Sequence, residues 1–303
     1  MNRKKIIIGS RASKLALVYA ARVKKEITQF YSNEIEIKKI LTSGDENQKD
    51  RLSDVGGKGL FSKKIEIELL ENKIDLAVHA LKDMPSIETE GLTTNCFLKR
   101  NFPNEILISR NNVKFNELTS NSVVGTCSYR REYQLKQKRK DLIFKLVRGN
   151  VDTRIKKLNE GLYDAIILSK AGVDSLNLSN YITEEFSTED IIPSVGQGVI
   201  AIQCRTNDIE MIEFLKKINH DETFNCVIAE REILKTLEGD CETAVGAISF
   251  LEGKKITLAA ELFSFDGKER YFFKASKELN MAKELGRSIG KILKDKSKGN
   301  YKK

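Results

Sequence analysis

The chain has 303 residues, 40% of them hydrophobic and 31% charged, which fits two or three globular domains and not a disordered polymer. No apolar run approaches the roughly 20 residues that cross a bilayer, and five scattered cysteines without a CxxC pair, with only two histidines, argue against a disulfide framework, a zinc site or a His-rich centre. The net charge of +9 includes a solvated tail, KDKSKGNYKK, so the placement of cations carries more information than their sum.

The opening MNRKKIIIGSRASKLALVYA has a basic start and an apolar middle, as a signal peptide does. Arg11 and Lys14 interrupt the apolar region, so it reads as strand, turn and helix, and a cytoplasmic protein is expected. The strand is KKIIIGS, and the helix runs from Ser13 to about Glu26 with Leu15, Ala16, Val18 and Val23 as apolar positions. IEIKKIL is a second strand, GGKGLFSKKIEIELLEN a glycine loop entering an amphipathic helix, and IDLAVHAL a third strand closed by the turn Lys82-Asp83-Met84-Pro85.

After about residue 103 the pattern restarts. EILIS and SVVGT read as strands, YRREYQLKQKR as a helix, IFKLV as a strand, VDTRIKKLNEG as a helix stopped by Gly161, and DAIILS as a strand. IIIGSRAS and VVGTCSYRR share one plan: apolar strand, glycine, small hydroxyl residue, basic helix start. That suggests two α/β units with mostly parallel sheets. PSVGQGVIAIQC reads as a turn and a strand that returns to the first sheet. DETFNCVIAEREILKTLEG is a long amphipathic helix. Beyond Gly239 come three strands, AVGAISFLEG, KKITLAAELFS and KERYFFKAS, with a hairpin signal at Phe265-Asp266-Gly267-Lys268, and a last helix from about Met281 to Lys294. This is a small α+β region.

In open α/β sheets ligands gather at the carboxyl ends of strands and at helix N-termini. There the first unit offers Arg11, Ser13, Lys58, Lys82 and Asp83, and the second Thr126, Ser128, Arg130, Arg131, Arg148, Arg154 and Lys170. Nearly all are cations or hydroxyl donors, with Asp83 as the lone carboxylate. Adjacent helix residues point about 100° apart, so Arg130 and Arg131 suit two separate anions gripped at a helix start. Cations at a helix N-terminus oppose the macrodipole, and Arg148 and Arg154 repeat the arrangement, so a ligand is expected to supply the missing negative charge. Asp83 amid cations suits an acid, a base or a stabiliser of positive charge, and equally a cap or a partner for Lys82. GGKGLF lacks the Gly-Lys-Ser/Thr of a phosphate loop. Cys241, flanked by Glu238, Asp240 and Glu242, reads on these grounds as a free thiol of raised pKa, and Cys96 and Cys204 as buried. The residues alone are compatible with a cleft enzyme, a small-anion-binding protein or sensor, or a nucleic-acid binder, though the last lacks stacking aromatics in its basic turns.

GSRASKLAL, DVGGKGLF, DLAVHALKDMP, GTCSYRR, LVRGNVDTR, DAIILSKAGV, VGQG and LEGDC occur in the order of the porphobilinogen deaminase family, which the chain resembles over essentially its whole length. The resemblance implies an α/β fold of two periplasmic-binding-protein-like domains with mostly parallel mixed sheets facing across a cleft, residues 1–98 with 198–218 and residues 103–193. It adds an α+β domain with an antiparallel sheet, residues 221–303, carrying the cofactor cysteine. It implies a transferase that joins four porphobilinogens head to tail with loss of ammonia, on a dipyrromethane cofactor bound to Cys241 by a thioether, and releases linear hydroxymethylbilane to tetrapyrrole biosynthesis. Six pyrrole rings with an acetate and a propionate each load the site with carboxylates. Arg11, Ser13, Lys58, Lys82, Thr126, Ser128, Arg130, Arg131, Arg148 and Arg154 match the family's carboxylate-binding positions. Asp83 matches its catalytic aspartate, expected to steer the departing amine and offset the charge of the resulting cation. A monomer without nucleic-acid or membrane partners is implied, with room for a hand-off to uroporphyrinogen III synthase. The chain departs from the family in CETAVG after the cysteine, in Asp54 where some relatives are basic, and in Ser175 where many have arginine, for which Lys170 is the candidate substitute.

Overall fold

The computed structural model describes residues 3–42, 62–239 and 243–302. Lys58, Asp54 and Cys241 lie outside the described residues. The described chain forms two compact units: residues 3–42, 62–101 and 198–225, and residues 102–197, 226–239 and 243–302.

The first unit is a five-stranded sheet in the order β2-β1-β3-β10-β4, made of β1 (Lys5–Arg11), β2 (Glu34–Ile40), β3 (Leu76–Ala80), β4 (Leu92–Phe97) and β10 (Ile200–Arg205). β1 runs parallel to β2 and β3, whereas β10 is antiparallel to both β3 and β4. The segment PSVGQGVIAIQC thus returns to the first sheet as expected. Its helices are α1 (Lys14–Thr28), α2 (Lys63–Leu70), α6 (Ile209–Leu215) and the start of α7 (Asp221–Leu237). Alternation along β1 explains the layers. Ile6 and Ile8 are fully buried with Tyr19, Ala20, Val23 and Ile27 of α1. On the other face Ile65 and Leu69 of α2 pack with Ile40 and Ile74. Each such aliphatic side chain contributes about 1.5–3 kcal/mol on burial. Gly9 keeps the second face tight, because a Cβ there would lie 2.3 Å from Ile74 Cδ1.

The second unit repeats this plan. Its sheet is β7-β6-β8-β5-β9, from β5 (Glu105–Ser109), β6 (Val123–Gly125), β7 (Ile143–Lys145), β8 (Ala165–Ser169) and β9 (Glu184–Glu185). β6 is parallel to β7 and β8, and β5 is antiparallel to β8 and β9. Strand for strand, β6 holds the place of β1, so IIIGSRAS and VVGTCSYRR occupy equivalent positions in two sheets of one topology. In both sheets four strands run one way and one runs against them. Helices α3 (Tyr129–Lys138), α4 (Val151–Asn159) and α5 (Lys170–Ser175) accompany this sheet. The same unit holds an antiparallel sheet of β11 (Val245–Glu252), β12 (Lys255–Phe263) and β13 (Arg270–Glu278), backed by α7 and α8 (Ala282–Ser297). The hairpin joining β12 to β13 turns at Gly267, φ 73°, where the sequence placed it.

Candidate active site

β1 and β3 are neighbours and parallel, so their carboxyl ends deliver Arg11 and the Lys82-Asp83 turn to one place. Arg11 ends its strand. Ser13 caps α1, its hydroxyl accepting from the Ala16 N–H at 3.4 Å. Asp83 lies in a 3-10 turn, Leu81–Asp83, that is anchored by the Leu81 N–H donating to the Val199 carbonyl at 3.0 Å. Arg11 Nη1 stands 3.7 Å from Asp83 Oδ2, and the two side chains, 18% and 34% exposed, remain open to a ligand. Arg11, Ser13, Tyr19, His79 and Asp83 line one recess. Its donors are a guanidinium and a hydroxyl, its acceptors a carboxylate and an imidazole, a set suited to a ligand bearing both acid groups and N–H groups.

In the second unit β6 ends at Gly125, and Thr126, Cys127 and Ser128 lead into α3. Ser128 caps the helix by accepting from the Arg131 N–H at 3.4 Å, and its own N–H donates to Thr126 Oγ1 at 3.2 Å. Arg130 and Arg131 do not reach for separate anions as their spacing suggested. Both turn inward to Glu105 on β5, Arg130 Nη2 to Oε1 at 2.6 Å and Arg131 Nη2 to Oε2 at 2.8 Å. Long side chains on adjacent residues can converge on one carboxylate because it offers two oxygens. Arg130 also donates to the Ile192 carbonyl at 2.8 Å, and Arg131 to that of Ile167 at 3.1 Å. Asp83 is therefore the lone carboxylate of its own strand ends but not of the cationic set: Glu105, fully buried, stands among the arginines of the second unit.

Arg148 follows β7 and is buried, and Gly149 beyond it takes φ 112°. Arg154 Nε donates to the Gly149 carbonyl at 2.8 Å, binding the first turn of α4 to the preceding loop. Cys127 sits among these cations. Burial pushes its thiol up, yet Arg154, Arg131 and Arg148 together, with a hydrogen bond from Arg154, hold it below the ordinary thiol range. Thr126, Arg131, Arg148 and Arg154 thus share one neighbourhood around Cys127. Lys170 lies apart from it, ion-paired with Glu185 of β9 and 4.2 Å over the Phe102 ring. Ser175 donates its hydroxyl to the Ala171 carbonyl of its own helix at 2.6 Å.

Four polar residues here escaped the sequence reading: His79, Gln203, Glu105 and Cys127. The first two are single polar letters in the apolar runs LAVHA and IAIQCR, and Glu105 looks like the polar start of EILIS. His79, within DLAVHALKDMP, and Cys127, within GTCSYRR, lay in segments already singled out.

Two family models match the sequence. One is described as "Porphobilinogen deaminase, dipyromethane cofactor binding domain" and matches residues 6–213, and the other as "Porphobilinogen deaminase, C-terminal domain" and matches residues 224–295. The chain is 40% identical over 295 residues to a porphobilinogen deaminase of Staphylococcus carnosus, covering 96% of this chain and 95% of that one. It is 42% identical over 293 residues to one from a Geobacillus species, covering 96% and 94%. Among solved structures, a putative methionine-binding lipoprotein of Bacillus subtilis is similar with a TM-score of 0.45 at 12% identity, over 74% of this chain and 94% of that one.

Proposed function

This chain belongs to the porphobilinogen deaminase family, and from that premise we propose that it is a transferase joining four porphobilinogens head to tail with loss of ammonia, on a dipyrromethane primer held by Cys241, and releasing linear hydroxymethylbilane by hydrolysis. The observation that carries this reading is the match of the family along nearly the whole chain, residues 6–213 and 224–295.

The residues present fit an acidic oligopyrrole. Arg131 is 6% exposed, and its Nε is buried without a hydrogen-bond partner among the described residues, a donor that a ligand acceptor would satisfy. Thr126, Ser128, Arg130, Arg131, Arg148 and Arg154 would hold the acetate and propionate arms in the second unit, with Arg130 and Arg131 braced against Glu105 and Arg131 keeping its Nε for the ligand. Arg11, Ser13 and Lys82 would do so in the first unit, and Lys58 belongs to the same set. The cofactor, when bound, supplies the nucleophilic pyrrole carbon on which the chain grows. Asp83 accepts hydrogen bonds from the departing amine and offsets the positive charge left on the pyrrole, while Arg11 orients the carboxylate from 3.7 Å. Lys170 is committed to Glu185 and so does not stand in directly for an arginine at Ser175. Among the described residues no helix is long and apolar enough to cross a membrane. The enzyme works as a cytoplasmic monomer and passes its product to a uroporphyrinogen III synthase.

Intact mass tests the reading. The purified protein should weigh more than its sequence by two linked pyrrole units and gain evenly spaced adducts with porphobilinogen. Cys241→Ala should abolish the excess. A protein at its sequence mass that neither loads nor consumes porphobilinogen would overturn the proposal.

A further inference from the structure

His79 stands on β3 at the edge of the Arg11–Asp83 recess. The residue is 6% exposed, and its Nε2 lies 3.2 Å from Gln203 Oε1. Gln203 in turn donates from Nε2 to Glu66 Oε1 at 3.1 Å, and Glu66 accepts on its other oxygen from Thr89 Oγ1 at 2.9 Å. A carboxylate only accepts, so Gln203 must give Glu66 its NH2 and turn its carbonyl oxygen to His79. A carbonyl oxygen also only accepts, so His79 must carry its proton on Nε2. The relay therefore fixes one tautomer and leaves Nδ1 as a lone-pair acceptor. Among the described residues the hydrogen bond the ring makes is the one at Nε2. Burial is the largest influence and lowers the ring's pKa to about 4, against the opposing pull of the Gln203 hydrogen bond and with a smaller push from the Arg11 charge. The imidazole stays neutral at the pH of the cell and cannot trade its lone pair for a proton.

The recess thus holds two acceptors of different kinds. Asp83 is a carboxylate and suits a cationic amine. His79 is a neutral acceptor near the Arg11 guanidinium, which disfavours a second cation beside it and leaves a neutral N–H as the matching donor. Resting on the reading of the site given above, we propose that His79 is a substrate-binding residue whose Nδ1 accepts the ring N–H of the pyrrole seated against Arg11 and Asp83. Arg11 and Ser13 then hold the acid arms, Asp83 meets the aminomethyl group, and His79 sets the rotation of the ring in its own plane. A five-membered ring without an N–H, such as a furan with the same arms, is rejected because it leaves Nδ1 opposed by an oxygen lone pair.

The chain has only two histidines, so ring-15N-histidine labelling gives a spectrum of four imidazole nitrogens, assigned with a His220→Gln variant. The probe is a porphobilinogen analogue with methyl in place of aminomethyl, which binds but has no amine to lose, added to the dipyrromethane-loaded enzyme. The free enzyme should show His79 as the Nε2–H tautomer, and saturation with the analogue should move its Nδ1 resonance upfield by several ppm. An Nδ1–H tautomer, or an Nδ1 unmoved at saturation, overturns the proposal. In parallel, His79→Phe keeps the ring and removes the acceptor. Its kcat/KM should fall about tenfold, the worth of one net hydrogen bond, through KM, with cofactor loading by intact mass unchanged. An unaltered KM in a loaded His79→Phe enzyme also overturns it. A native chain that never acquires the pyrrole mass sinks the reading of the site itself, whereas a loaded, active enzyme with an unresponsive Nδ1 sinks only the role of His79.

Discussion

Glu105 has no exposed surface, and the side chains of the two arginines that meet it are only 5% and 7% exposed. Burial drives the Arg130 pKa down, and the Glu105 charge works against that shift. Removing one member of such a group leaves buried charge without compensation. Glu105→Ala should therefore lower stability by about 3–5 kcal/mol, read as a fall in the thermal midpoint, with Glu105→Asp recovering a substantial part of the loss. A Glu105→Ala protein as stable as its parent would mean that the pair relaxes into solvent. His79 makes a second claim at this scale, through linkage. Unfolded, its ring takes a proton near the ordinary value of 6.5, but in place only near 4. Between those values the unfolded chain binds more protons, so stability rises with pH across the window and is lost as pH falls from 6.5 toward 4. The difference amounts to about 3 kcal/mol below the window. His79→Phe should flatten the pH dependence of the unfolding midpoint between pH 6.5 and 4 relative to the parent, the carboxylates being common to both. Equal slopes would show that the ring titrates normally in the fold.

Where α7 and α8 cross, the elements meet through glycine. A Cβ on Gly286 would lie 2.1 Å from the Ala229 carbonyl oxygen, and one on Gly290 2.8 Å from Thr236 Cβ. Gly286→Ala gains helix propensity of about 0.5–1 kcal/mol but pushes a backbone that cannot move alone, at about 1–3 kcal/mol. Net destabilisation is expected, together with increased hydrogen exchange along both helices, and a stabilised variant would show that the helices separate freely. Elements also show where sequence is informative. β1, β3 and β8 were legible because buried parallel strands are short apolar runs bounded by turns. The direction of β5 and β10 was not, since a buried run reads the same either way. β4, with Thr93, Thr94 and Asn95 in its middle, and β9, of two residues, carry too little periodicity to be seen. Arg11, Ser13 and Asp83 could be found because strand ends in this fold are known sites. His79 and Gln203 could not, because their meaning comes from a register between β3 and β10, strands more than a hundred residues apart in sequence.

At the scale of the molecule, one strand order is used twice, and each time the chain leaving the second strand of that order, β1 or β6, carries the arginine and the capping hydroxyl. The two turns differ in how water reaches them. The Arg11 side chain is 18% exposed, whereas those of Arg130 and Arg131 are 5% and 7% exposed and paired with a buried carboxylate. Salt acts on the first and hardly on the second. Its screening length shrinks from about 10 Å at 0.1 M to about 3 Å at 1 M, and ions that cannot enter the interior leave the Glu105 pairs as they were. The net charge of +9 adds a general attraction for an acidic substrate that is screened in the same way. Raising sodium chloride from 0.1 to 1 M should therefore raise KM for porphobilinogen several-fold while kcat changes less than about twofold and the thermal midpoint holds. Steady-state kinetics at fixed pH separate these terms. A KM indifferent to salt would mean that the cations binding the substrate are as enclosed as Arg130, and that Arg11 is not among those that attract it.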